Sequence, residues 1–262
     1  MSLVFVGSAH GSPGATTTAL AIAATWPEHR RCLLVEADPF GGVIAARYRL
    51  GDSPGLSSLA AMARRGLEDE VVWQHAQQLP GGIPVLIGPP TAEEAHAVLR
   101  DVARILAEWA VAQPEIDVIV DFGRIAPGST MLTAMTTADL VLVVTRPSID
   151  QLRPAAARST ALTTGGVRSG LLLVGDHPYG PAEVAATLDV DVAGVIAWDP
   201  RTAAVLTGLH GAVRDLRRTP LVRSAATLAA ELAPTPGPMP DVGVDVGSAG
   251  ASRVSVIGET GS

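Results

Sequence analysis

Seven short apolar runs, each bounded by Gly, Pro or Asp, constrain this chain more than any other feature. They are LVFVG (3–7), CLLVEA (32–37), IPVLIG (83–88), DVIVDFG (117–123), DLVLVV (139–144), GLLLVG (170–175) and VAGVIAW (192–198). The runs are continuous rather than alternating, so each reads as a strand covered on both faces. Helix-like segments lie between them at 16–26, 56–64, 92–112, 150–164, 181–188 and 200–208, with a last one near 221–233. Strands that alternate with helices imply parallel βαβ units. The expected fold class is therefore α/β: a doubly wound, mostly parallel sheet of about seven strands flanked by helices. Aromatic residues make up only 3% of the 262 residues, so the core must be packed from Ala, Val, Leu and Ile. No internal repeat is visible. From Pro234 the chain loses periodicity and turns rich in Gly, Pro and Ser. This divides it into a domain at 1–233 and a tail at 234–262 expected to be disordered.

The first turn carries the chemistry. HGSPGATTT (10–18) separates the first apolar run from ALAIAATW, the layout of a phosphate-binding loop that enters a helix. In such a loop consecutive backbone N–H groups wrap the phosphates and the helix N-terminus adds a favourable field. Gly11 and Gly14 let the chain come close, and Thr16 stands where a magnesium ligand belongs, with Thr17 after it. Ala15 occupies the place of the lysine that would reach the β and γ phosphates, and Pro13 removes one N–H. All 19 basic residues are arginine; the chain has no lysine. Drift from Lys to Arg would have left Arg at position 15, so Ala15 marks a loss of charge there.

Two strand ends supply acids: Glu36 and Asp38 in VEADPFGG, and Asp121 in DVIVDFG. Ligands of open α/β sheets bind at carboxyl strand ends, and a phosphate loop with two strand-end acids can hold a nucleotide, magnesium and an attacking water. Blander accounts exist for each part. The loop can be a Gly/Pro turn capped by Ser12 or Thr16, Asp38 an Asx turn before Pro39, and Asp121 a helix cap. That all three fall in register by accident is the weaker account. A dinucleotide fold fails because G-x-G-x-x-G is not met, and a Tyr–Lys pair is impossible without lysine.

With these residues in view, the sequence resembles the ParA/MinD-like group of P-loop ATPases over residues 1–233. The family loop Lys-Gly-Gly-x-Gly-Lys-Thr-Thr is matched by His10 to Thr17, and D-x-D-P-x-G by Glu36-Ala37-Asp38-Pro39-Phe40-Gly41. The Walker B acid looks like Asp121. VVTRPSIDQLRP (143–154) and DVDVAGVIAWDPRTAAVLTG (189–208) resemble later family segments. PGLSSLAAMARRG (54–66) with LPGGIPVLIGPPTAEEA (79–95) looks most like the CpaE/TadZ branch, linked to Flp/Tad pilus assembly. The resemblance implies ATP and Mg²⁺ as cofactors and a homodimer with ATP between subunits. It assigns nucleotide binding to Gly11, Ser12, Gly14, Ala15, Thr16 and Thr17, magnesium to Thr16 and Asp121, and catalysis to Asp38 and Asp121.

The departures fall where the chemistry is heaviest. His10 replaces the lysine that reaches across the dimer, Ala15 the Walker lysine, and Glu36 the first acid. The Arg or Asn contacts to adenine are not evident in VGDHPYG (174–180). A lysine–phosphate contact is worth about 2–4 kcal/mol at an effective dielectric near 20. Nucleotide binding is therefore expected to be weak or lost, and ATPase activity reduced or absent. Arg124, Arg47 and Arg49 are the candidates for a substitute cation, set against their reading as solvated residues.

The remaining features exclude more than they assign. A net charge of −7 argues against bulk nucleic-acid binding. The cluster Arg214, Arg217, Arg218 and Arg223 leaves DNA as a less favoured partner beside a solvated face. One cysteine, Cys32, rules out an intrachain disulfide. No apolar run is long enough for a membrane span, no signal peptide is seen, and the tail has no basic amphipathic membrane helix. The expected location is cytoplasmic, polar or membrane-associated only through partners. The histidines show no metal-binding spacing, and no G-x-S-x-G elbow occurs. The function expected is a positioning or assembly factor for a pilus, secretion or division apparatus. An active partitioning ATPase and a ligand-free scaffold are the alternatives.

Overall fold

Side chains leave a strand on alternate faces, and along β1 (Leu3–Ser8) both faces are apolar. Leu3 and Phe5 enter one hydrophobic layer, Val4 and Val6 the other. β2 (Arg31–Glu36) repeats the division, with Leu33 and Val35 on one side and Leu34 on the other. This two-sided burial is what the unbroken apolar runs encode. The computed structural model describes residues 2–10, 13–63, 66–126, 128, 131–208 and 214–234.

After β1 come α1 (Ala15–Ala24), β2, α2 (Ile44–Tyr48), α3 (Leu56–Ala63) and α4 (Asp69–His75). β3 (Gln77–Leu79), β4 (Ile83–Leu86), α5 (Ala92–Ala112), β5 (Ile116–Arg124) and α6 (Met131–Met135) follow. The chain continues through β6 (Leu140–Thr145), α7 (Ile149–Thr164), β7 (Ser169–Val174), α8 (Pro181–Leu188), β8 (Val192–Ile196), α9 (Pro200–Leu206) and α10 (Pro220–Leu232). The strands form one sheet in the order β3-β4-β2-β5-β1-β6-β7-β8. Every pairing is parallel except β3 with β4. The sheet thus has eight strands against an expected seven. The addition, β3, is a three-residue edge strand whose two glutamines give no apolar run.

The helices form two layers. One layer is supplied by α3, α5 and α7, with Leu56, Leu99 and Leu152 buried against the sheet. The other is supplied by α1, α2, α9 and α10, with Leu20, Ile44, Leu206 and Leu228 buried. The foot of β5 is locked at the end away from the loop. The fully buried Asp117 carboxylate accepts bonds from Arg30 at 2.8 and 2.9 Å, from Trp26 Nε1 at 2.8 Å and from the Ser2 N–H at 2.5 Å. Burial alone would raise the Asp117 pKa; these donors together outweigh it and hold it below the usual range.

α5 begins at Thr91, whose hydroxyl accepts the Glu94 N–H at 3.3 Å. Thr91→Ala is expected to destabilise by about 1 kcal/mol, read as a lower urea midpoint with an unchanged m-value. Among the described residues no helix is long and apolar enough to cross a membrane. The tail from 235 lies outside the described residues.

Candidate nucleotide-binding site

β1 connects outward to β2 on one side, while β5 connects past β1 to β6 on the other. Such a reversal opens a crevice at the carboxyl strand ends. Here a crevice of about 510 Å³ is lined by Gly14, Ala15, Thr16, Thr17, Asp38, Phe40, Arg47, Gly123 and Arg124, among others. Of the residues the sequence singles out, Gly14, Ala15, Thr16, Thr17 and Asp38 therefore share one wall. Gly11 and Ser12 lie outside the described residues.

Gly14 caps α1 in the left-handed region, at φ 105°. An added Cβ would meet nothing closer than Thr17 Cβ at 3.9 Å, so conformation rather than space calls for glycine. No side chain caps the helix. Its first-turn N–H groups, which have no intrahelical acceptors, are available to an anion.

Asp121 stands beneath this turn, paired with Val6 of β1 and Glu36 of β2. It is 1% exposed. Oδ1 accepts the Gly123 N–H at 3.2 Å, while Oδ2 is buried with no hydrogen-bond partner. Burial, with Glu36 and Asp38 adding to it, pushes the carboxyl up to about 7, against the opposing pull of the Thr16 hydroxyl and the Gly123 N–H.

Glu36 has a different task from the one its place in the motif implies. Its Oε1 accepts the N–H groups of Val43 at 2.6 Å and Ile44 at 2.8 Å, and its Oε2 that of Gly88 at 3.0 Å. The side chain pins the start of α2 and the chain after β4 to the sheet. It does not line the crevice. Burial still raises its pKa, these three bonds notwithstanding.

Asp38 does face the crevice. Its Oδ1 accepts the Phe40 N–H at 2.8 Å. Burial raises its pKa, opposed by that bond and by the charge of Arg124. The carboxylate rests over Gly123, at φ 58°, where an added Cβ would fall 1.9 Å from Asp38 Oδ2. Gly123→Ala must therefore displace Asp38 as well as strain the backbone. A loss of about 1–2 kcal/mol is expected from the strain alone, read as a fall in melting temperature. A melt matching wild type would mean that the carboxylate is not seated there.

The crevice runs on into a second compartment of about 290 Å³, sharing Pro13, Gly14, Thr17 and Arg47 with it. Val174, Ile196, Trp198 and Leu221 make its walls mainly apolar. The Arg146 guanidinium lies 4.2 Å from the Trp198 ring centroid. Neither residue was singled out from sequence. The signal was present: Trp198 is one of four tryptophans and lies two residues past a carboxyl strand end. Among the described residues no group of three His, Cys, Asp or Glu side chains converges to hold a metal ion.

The sheet order, the switch point after β1 and the glycine-capped helix above Asp121 define an α/β protein of the ParA/MinD fold. The ParA family ATPase of Chlorobium tepidum TLS shares it, with a TM-score of 0.70 at 18% identity over 88% of this chain and 99% of that one. So does the septum site-determining protein MinD of Pyrococcus horikoshii OT3, complexed with Mg-ADP, at a TM-score of 0.68 and 19% identity over 88% and 95%. At such identities the likeness is one of fold. In sequence, the uncharacterised Mycobacterium tuberculosis proteins MT3760 (strain CDC 1551) and Rv3660c (strain H37Rv) are each 30% identical over 227 residues, 86% of this chain. The chain spans 62% of the length of these relatives. No protein-family model matches.

Proposed function

We propose that this chain is a ParA/MinD-like nucleotide-binding protein of reduced or absent ATPase activity, acting as a positioning or assembly factor. The observation that carries the reading is Ala15. It stands at the head of α1 in a crevice that has kept Thr16 and Asp38 on its wall, with Asp121 buried beneath, but has no lysine to offer. Losing a cation weakens ground-state binding and removes stabilisation of the charge that develops in phosphoryl transfer.

The residues present fit a magnesium ion. Thr16 and Asp121 offer hard oxygen donors, and Asp121 Oδ2 is unpartnered; Mg²⁺ takes few protein ligands beside phosphates and water. When bound, the ion supplies charge neutralisation on the phosphates. The chain's own part is to present the α1 N–H groups to the anion and to set Asp38 at its edge. The apolar compartment beside Trp198 fits the ring of a nucleotide. The fold is shared with a MinD solved with Mg-ADP, which supports the same ligand class.

A homodimer, less dependent on nucleotide now that His10 replaces the cross-dimer lysine, belongs to this reading. So does a protein partner in a pilus, secretion or division apparatus, with the CpaE/TadZ-type branch favoured by the sequence of 54–95. The domain at 1–233 carries these roles, with 234–262 as a tether.

Calorimetric titration with ATP and Mg²⁺, with a phosphate-release assay on the same sample, tests the proposal. Measurable binding with no release above buffer is the expected result. Turnover lost in Asp38→Ala and Asp121→Ala would establish an active ATPase instead, the second reading, which the arginines lining the crevice favour. A melting temperature unmoved by millimolar ATP or ADP would leave only a ligand-free scaffold.

A further inference from the structure

We infer that the cations serving the phosphate chain come from the crevice wall: Arg47 at the junction with the apolar compartment, and Arg124 at the opposite, distal end. The assignment rests on the nucleotide-binding reading and adds to it an order along the ligand.

Three observations carry it. First, Arg47 lines both compartments, whereas Arg124 lines only the crevice. A ligand with its ring beside Trp198 and its anionic chain over the α1 N-terminus meets Arg47 at the phosphate next to the ring. It meets Arg124 further out, near Asp38. Second, among the described residues neither guanidinium has a hydrogen-bond or ion-pair partner. Arg124 acts on the Asp38 carboxylate only through its field. A guanidinium presents planar, paired donors that suit phosphate, and these two retain theirs. Third, Arg124 is not loose: its guanidinium lies 5.5 Å from the Phe40 ring centroid, a contact that aligns it over the loop bearing Asp38. Arg49, the third arginine of this region, caps α2 at φ 56° and, although exposed like Arg124, does not line the crevice.

The chemistry recognised is a polyphosphate anion, borne by a nucleotide or free, and the test separates the two. Affinities of the full chain for Mg-ATP, AMP and inorganic tripolyphosphate are measured for wild type, Arg47→Ala, Arg124→Ala and Arg49→Gly. Melting temperatures confirm that each variant folds, and Arg47→Lys and Arg124→Lys stand in for any that does not. The expected result is that Arg124→Ala weakens ATP and tripolyphosphate at least tenfold and AMP less than twofold. Arg47→Ala weakens ATP and AMP alike, about tenfold, and Arg49→Gly changes neither beyond twofold. Lysine at either place recovers part of the loss. Tripolyphosphate binding as tightly as ATP would identify free polyphosphate as the ligand and still supports the two cations. ATP bound equally by wild type, Arg47→Ala and Arg124→Ala overturns this assignment and leaves nucleotide binding standing. No binding of any of the three to wild type at millimolar concentration overturns both.

Discussion

Asp121→Asn is expected to raise the melting temperature of the ligand-free protein at pH 8 by on the order of 10 °C and to change it little at pH 4. The sign follows from where the carboxyl titrates. An aspartate whose folded pKa is lifted from 3.8 to about 7 is at ease when protonated. Its contribution to stability is complete below about 4, the unfolded value, and is lost as pH rises through about 7. Above that point the wild type holds a carboxylate with one oxygen unpartnered in a dry site. A lift of this size amounts to about 4 kcal/mol, and for a domain of this length each kcal/mol moves the melting temperature by roughly 2–4 °C. Asparagine keeps the shape, and its carbonyl oxygen can still accept the Gly123 N–H. Glu36 and Asp38, also raised mainly by burial, tilt the wild-type profile the same way. Asp117, held low, tilts it the other way, but only as pH falls through the range below about 4. Melting curves for both proteins from pH 4 to 8.5 decide the matter. A difference that stays flat with pH would mean that the Asp121 carboxyl is solvated and that no cation is wanted beside it. Mg²⁺ with nucleotide should reverse the order at pH 8, because the ion stabilises the carboxylate and has little to gain from the amide.

The sequence makes the sheet legible because parallel strands are buried on both sides, so their signal is a run of Val, Ile and Leu that needs no periodicity. β3 escapes that signal: as a three-residue edge it turns only Leu79 inward. α2, α4 and α6 escape for another reason. At five to seven residues they are shorter than the window over which a helical period can be seen. The omission of α2 matters most, since it carries Arg47 to the join between crevice and pocket. The placement of Asp38 and Asp121 at the ends of neighbouring strands was readable because strand ends converge in a doubly wound fold whatever the details. The work of Glu36 was not. Its three donors come from positions 43, 44 and 88, and the one at Gly88 is brought near only by the pairing of β2 with β4.

Ala15→Lys is expected to tighten Mg-ATP binding by about 30- to 1,000-fold, corresponding to about 2–4 kcal/mol for one cation on a phosphate chain near the surface. Position 15 is the first residue of α1 and lines the crevice. Ala15 is only 7% exposed and packs in the layer that holds α1, so a lysine there must run its stem along the crevice wall to bring its ammonium to the anion. The ligand-free protein should respond as well. A cation above Asp121 favours its ionised form, so Ala15→Lys should flatten the pH dependence described above, and Ala15→Lys combined with Asp121→Asn should lose the gain that Asp121→Asn shows alone. That coupling separates a lysine in the crevice from one that has swung into solvent, which would leave the two substitutions additive. Phosphate release then divides the remaining outcomes. Tighter binding with turnover would make Ala15 the step that silences an otherwise complete site. Tighter binding without turnover would place a second deficit elsewhere, at Pro13, which withholds an N–H, or at His10 in place of the cross-dimer lysine. No gain in affinity would mean that a phosphate never reaches the head of α1, and the crevice would then need a different ligand.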